Sequence, residues 1–251
     1  MPLYPLAVHR FSTTHELGHA AGARAAVHIA QAIEERGTAR VMLAAAPSQL
    51  ATLQALAASD VDFSRVEFFH MDDYLGLAPD APQGFGNWLE NNFLSQLSQP
   101  AAFYRIDASR PPEESAAAYA EAMGEAEFDV TLCGLGVNGH LAFNDPPADF
   151  EDPFAARPVL LDDVSRGQQV DEGHFPDLDA VPAQAITVTI PRLLHARHVI
   201  CSVLGIAKRQ AVADTIAREP DPQYPGTALH THRDAHLYLD AGSTPDGADD
   251  E

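Results

Sequence analysis

The sequence predicts an α/β fold, a three-layer, mostly parallel, Rossmann-like sheet with helices on both faces. Three observations predict it. Apolar runs of strand length alternate along the chain with helical patterns of roughly 10–20 residues, the order that builds a parallel sheet. The apolar runs lack polar alternation, as strands covered on both sides do. The chain has 251 residues, 46% of them hydrophobic and 20% charged, which excludes disordered, coiled-coil and collagen-like classes. No internal repeat or composition break marks a second domain, so residues 1–251 are read as one domain.

The elements follow in order. Thr13 and Glu16 have capping-box spacing ahead of an Ala-rich helix that Gly37 ends. Arg40–Ala46 reads as a buried strand, Ser48–Ala58 as a helix and Arg65–His70 as a second strand. Gly84–Leu97 is helical, with Trp88, Phe93 and Leu97 as core contacts, and Ala102–Ile106 is a short strand. A proline opens the helix that runs to Met123. Phe128–Gly136 is the strongest strand; Ile186–Ile190 and His198–Gly205 are two more. Ala207–Arg218 is a helix and His236–Asp240 the last strand. Residues 145–182, rich in Pro and Asp, read as a lid or crossover loop, and residues 243–251 as a frayed acidic tail.

Composition excludes several function classes. The formal charge of −21 repels nucleic acid and anionic membrane surfaces. No run approaches the roughly 20 apolar residues of a membrane helix. The opening MPLYPLAVHR has no basic stretch ahead of an apolar core, so no signal peptide is expected. Cys133 and Cys201 sit in apolar strand-like runs and read as buried free thiols of a reducing, cytoplasmic compartment. All of the basic residues except Lys208 are Arg, which singles out that one compact ammonium.

Two short motifs carry little weight. His15 to His19 spells HELGH, the zinc pattern with Glu16 as base, but Ala25 stands where a metzincin has its third His. The segment also opens the chain as an ordinary capped helix. Gly134 to Gly139 matches G-x-G-x-x-G after a strand. Pro146 and Pro147 follow too soon for the long helix that a dinucleotide pyrophosphate needs.

In an open α/β sheet, ligands bind outside the carboxyl ends of the strands. The loops there hold Asp72 and Asp73, then His140 with Asn138 and Asp145 near it in sequence, and Lys208 at a helix start. A carboxylate and an imidazole move protons near neutral pH. Gly134, Gly136 and Gly139 let backbone amides approach an anionic or hydroxylated ligand, and Lys208 suits a phosphate. Neighbouring strand residues face opposite ways, so at most one of Asp72 and Asp73 points into the site.

FHMDDYLGL (Phe69 to Leu77) and GLGVNGHLAFNDPP (Gly134 to Pro147) resemble the two signature segments of glucosamine-6-phosphate deaminases, or isomerases, which share a fold with 6-phosphogluconolactonases. The resemblance runs along most of the chain and is closer to the deaminase branch. It implies that His140 opens the ring of an amino-sugar phosphate. Asp72 then moves a proton from the second carbon to the first, and ammonia leaves to give a ketose phosphate. It implies further that Asn138 and Asp145 orient His140, and that Ser48, Asp73, Tyr74, Gly136, Gly139, Arg157 and Lys208 bind substrate. No metal or organic cofactor is implied; the partner is a small-molecule sugar phosphate, and a homo-oligomer is compatible with it. The sequence departs from the pattern where Asn138 and Asp145 replace an acid and a Glu. The first loop, usually Thr-Gly-(Gly or Ser)-Thr-Pro, is Ala45-Ala46-Pro47-Ser48-Gln49, in which Pro47 lacks an N–H and only Ser48 keeps a hydroxyl. Arg157 is the nearest match to the family's phosphate arginine, displaced by about two residues, within ordinary boundary error. The proton-transfer residues are present and the phosphate grip is weakened. Three readings follow: an isomerase and deaminase, a sugar-lactone hydrolase, or a non-catalytic sugar-binding relative.

Overall fold

A computed structural model describes residues 2–97 and 102–246. The chain runs through β1 (Ala7–Arg10), α1 (Thr14–Arg36), β2 (Ala39–Leu43), α2 (Leu50–Ala57), β3 (Val66–His70), β4 (Asp72–Tyr74) and α3 (Phe85–Asn92). It continues through β5 (Ala102–Tyr104), α4 (Pro112–Met123), β6 (Phe128–Cys133), β7 (Ala156–Leu160) and α5 (Asp163–Asp171). The last elements are β8 (Gln184–Val188), α6 (Ile190–Leu194), β9 (Ala196–Val203), α7 (Arg209–Ala217) and β10 (Ala235–Leu239).

Seven strands form a sheet in the order β1-β10-β9-β6-β2-β3-β5, with every neighbouring pair parallel. Alternate residues feed two cores. Val41, Leu43, Phe68, Val130 and Leu132 pack with Leu17, Ile29, Leu53 and Leu56 of α1 and α2. Met42, Phe69 and Cys133 pack on the other face with Tyr119 and Met123 of α4, Leu193 of α6 and Val212 of α7. Cys133 and Cys201 are neighbours in register on β6 and β9, both buried and both free thiols.

The HELGH segment serves this packing. Thr13 and Glu16 form the capping box of α1, Leu17 and Gly18 are buried, and Gly18 lies directly against Ala51 of α2. His15 and His19 are exposed.

Ile186–Ile190 corrects the expected sheet. β8 is the middle strand of a separate three-stranded antiparallel sheet, β4-β8-β7. Met71 joins the two sheets, donating its N–H to Leu43 O (3.1 Å) and accepting from Val188 N (2.7 Å). An apolar run records burial but not the direction of its partner, so β8 looked like its parallel neighbours. Residues 145–182, expected as a lid or crossover loop, hold β7 and α5, the latter capped by Asp162 on Ser165 N. Ser243, the first residue of the expected frayed tail, is instead buried and donates to Val203 O (2.7 Å). Residues 247–251 lie outside the described residues.

His70, at the end of β3, is fully buried. Burial lowers its pKa from 6.5 to about 4, with Asp73 opposing and Arg105 assisting the shift. Its Nε2 accepts the Ile106 N–H at 2.8 Å, a bond that needs the neutral ring. The unfolded chain therefore binds the extra proton first as pH falls. The stability tied to neutral His70 is complete above about pH 6.5 and lost between 6.5 and about 4, an effect on the order of 3 kcal/mol. Urea unfolding at pH 7 and pH 5 should show this loss, and His70→Gln should flatten it; identical pH slopes in both chains would remove His70 as the cause.

Candidate active site

The carboxyl ends of the strands enclose a cleft of about 590 Å³ including its open mouth. Ser48 and Gln49 reach it after β2, Asp72 after β3, Gly136 and His140 after β6, and Lys208 after β9. Gln168, Gln169, Glu172 and His174 close it from the segment around α5.

The two adjacent aspartates divide as strand geometry requires. Asp72 lines the cleft. Asp73 turns away, its Oδ1 accepting from Tyr74 N and Phe85 N (both 2.9 Å) and its Oδ2 from Gly86 N (3.0 Å). Asp73 thus holds the first turn of α3. Tyr74 packs among Phe85, Phe143 and Phe175 rather than in the cleft. Burial, and then the neighbouring negative charge of Asp73, raises the Asp72 pKa well above the usual carboxylate value. A carboxylate so raised is a stronger base toward carbon-bound protons.

His140 is held from three sides. Its N–H donates to Asn138 Oδ1 (3.1 Å), and its Nδ1 lies 3.0 Å from Asp145 Oδ1 and 2.9 Å from Ser165 Oγ. Asp145 Oδ1 also accepts from Ser165 Oγ (2.5 Å) and Asn138 Nδ2 (3.0 Å). Burial opposes ionisation of Asp145, but the hydrogen bond and charge of His140, with Ser165 and Asn138, outweigh it and hold the carboxyl at about 2. An ionised Asp145 accepts the Nδ1 proton. Nε2 is then the unprotonated nitrogen, without a protein partner among the described residues.

Gly136 lies under the imidazole. A Cβ there would stand 2.3 Å from His140 Cε1 and Nε2, so the ring occupies the space a side chain would need. Gly136→Ala should displace the ring and lower kcat on the order of 100-fold, since an ångström of misplacement has that effect. Steady-state kinetics checks it, with a melting curve to confirm the fold; wild-type kcat would detach His140 from the chemistry.

The remaining sequence-based candidates are scattered. Ser48 lines the cleft, as does Lys208, whose Nζ lies 3.2 Å from Glu172 Oε1. Burial lowers the Lys208 pKa and Glu172 opposes that shift. Gly139, at φ +81°, forms the turn before His140 and borders a different depression with Asn138. Arg157 is on β7, bonded to Asp152 Oδ2 at 2.7 Å, and does not line the cleft. Sequence reasoning missed Ser165 and Glu172. No motif marks either; only Asp162, a capping residue three positions before Ser165, signalled that α5 begins there.

Among the described residues, one group places metal-ligand atoms within 4.8 Å of one another: His28, His198 and Asp234. It lies toward the amino ends of the strands, away from the cleft. The rings of His28 and His198 stack 3.5 Å apart and 16° from parallel. In that arrangement the in-plane lone pairs do not converge on one ion.

The family model described as glucosamine-6-phosphate isomerases/6-phosphogluconolactonase matches residues 12–238. The chain belongs to this family. It is 28% identical to the glucosamine-6-phosphate deaminase of Streptococcus sanguinis over 219 residues, covering 87% of this chain and 92% of the relative. It is also 28% identical to that of Streptococcus gordonii over 220 residues, with 88% and 92% covered. Among solved structures, a monomeric glucosamine-6-phosphate deaminase superposes with a TM-score of 0.85 at 24% identity, covering 95% of this chain and 98% of the other. A 6-phosphogluconolactonase from Shewanella baltica superposes at 0.77 and 17% identity, covering 94% and 97%. These likenesses confirm the expected α/β architecture. The family is one of enzymes of sugar-phosphate metabolism, and no helix among the described residues is long and apolar enough to cross a membrane.

Proposed function

We propose that this chain is an aldose–ketose isomerase and deaminase acting on an amino-sugar phosphate such as glucosamine 6-phosphate. The observation that carries this reading is the shared cleft of Asp72, a buried carboxylate with raised pKa, and His140, an imidazole oriented by a carboxylate. His140 Nε2 relays the proton between the anomeric and ring oxygens as the sugar opens. Asp72 takes the proton from the second carbon, giving an enol-type amine, and returns it to the first carbon. Water then hydrolyses the resulting imine, releasing ammonia and the ketose phosphate. Ser48 and Lys208 are the side chains offered to the ester. Each step is proton transfer by positioned groups, and none calls on a metal or organic cofactor. A lactonase would activate water at an ester and would have no carbon-bound proton for Asp72 to move. The buried thiols support a reducing, cytoplasmic setting.

The test is release of ammonia together with a ketose 6-phosphate from hexosamine 6-phosphates. Hydrolysis of 6-phosphogluconolactone without ammonia release would favour the other branch of the family.

A further inference from the structure

The charge at Glu172 does not suit a site dedicated to phosphate esters. Its Oε1 accepts from Lys208 Nζ (3.2 Å) and from Gln168 Nε2 (2.8 Å), and His174 Nε2 lies 3.7 Å from Oε2. Glu172 is therefore fixed at the end of α5, and it neutralises the single lysine of the chain. No arginine lines the cleft among the described residues.

Gln49 adds an independent observation. It lines the cleft and is 1% exposed, and its Nε2 is committed to Ser202 O (3.0 Å). Its Oε1 is buried with no hydrogen-bond partner. A buried acceptor of this kind needs a donor. A phosphate dianion has none, whereas a sugar hydroxyl has one. Glu172 likewise accepts hydroxyl or ammonium donors and repels an anion.

We propose that the cleft also takes free amino sugars, hexosamines without a phosphate ester, because Glu172 cancels the charge on which the ester would depend. This rests on the isomerase and deaminase reading above and extends it to a second substrate class.

Titration calorimetry with D-glucosamine and D-glucosamine 6-phosphate tests it on the whole chain. The wild-type affinities should lie within tenfold of each other. In Glu172→Gln the ratio should move at least tenfold toward the ester, since Lys208 is then unopposed. Glu172→Ala gives the same readout in a second variant, with melting curves confirming that both are folded. A wild-type preference for the ester beyond tenfold, or a ratio that moves less than tenfold in the folded variants, overturns the proposal. Ammonia assays on both sugars separate the two readings. Absence of ammonia from both sugars defeats the deaminase reading while the affinities still decide this one. Failure of both sugars to bind overturns both.

Discussion

Asp72→Asn is expected to lower kcat/KM for ammonia release by about 10²- to 10⁴-fold, the usual contribution of a positioned base. The same substitution should raise the melting temperature at neutral pH. The folded-state pKa of Asp72 lies well above its unfolded value of 3.8, first through burial and then through the charge of Asp73. A group raised in this way favours folding below the unfolded pKa and loses that contribution as pH rises through the folded value. At pH 7 the ionised carboxylate is therefore a liability to stability, and a neutral amide of the same shape relieves it. The two melting curves should converge in acid below about pH 4, where the carboxyl is protonated in both states. Loss of activity with no gain in stability would mean that Asp72 is better solvated than its burial indicates. Retained activity would remove it as the base.

The second large effect is expected at Asp145, a positioning residue rather than one that reaches the sugar. Asp145→Asn keeps the shape but offers an amide where Nδ1 of His140 now meets a carboxylate 3.0 Å away. An Asn Nδ2 directed at His140 would favour the tautomer with its proton on Nε2, the wrong one for accepting a proton from the sugar. A comparable change in catalytic triads removes about 10⁴ of kcat through the same tautomer error. Here, where Ser165 Oγ is a second partner of Nδ1, a loss of about 10²- to 10³-fold is expected, falling on kcat with KM nearly unchanged. A purely structural role would lower the amount of folded protein and leave kcat per folded molecule unchanged. The Asp145 carboxyl is held at about 2 in the folded chain, so its own contribution to stability is complete above about pH 4 and lost as pH falls toward 2.

Much of this was legible in the residues. The main sheet followed from buried apolar runs such as Phe128–Cys133, whose pattern needs cover on both faces. Thr13 and Gly37 marked the limits of α1 through local capping chemistry. Asp72 and His140 could be placed because a parallel sheet brings the loops after its strands to one rim. The second sheet was not legible. β4 has three residues, and β8 carries nothing in its own sequence to say that it pairs antiparallel with its neighbours. The orientation of Asp73 was predictable only as one half of an alternative, settled by its bonds to α3. Ser165 and Glu172 depend on how α5 docks, which is a matter of tertiary packing. Arg157 was assigned by alignment distance, and β7 carries it to Asp152 instead.

One short helix touches two of the polar groups that line the cleft. Through Ser165 it grips the Nδ1 side of the His140 ring, and through Glu172 just past its end it engages the ammonium of Lys208. A displacement of α5 would therefore move partners of both His140 and Lys208. The proposed proton relay and the proposed ester contact are thus tied to one element, and a substitution that loosens its packing should weaken both together.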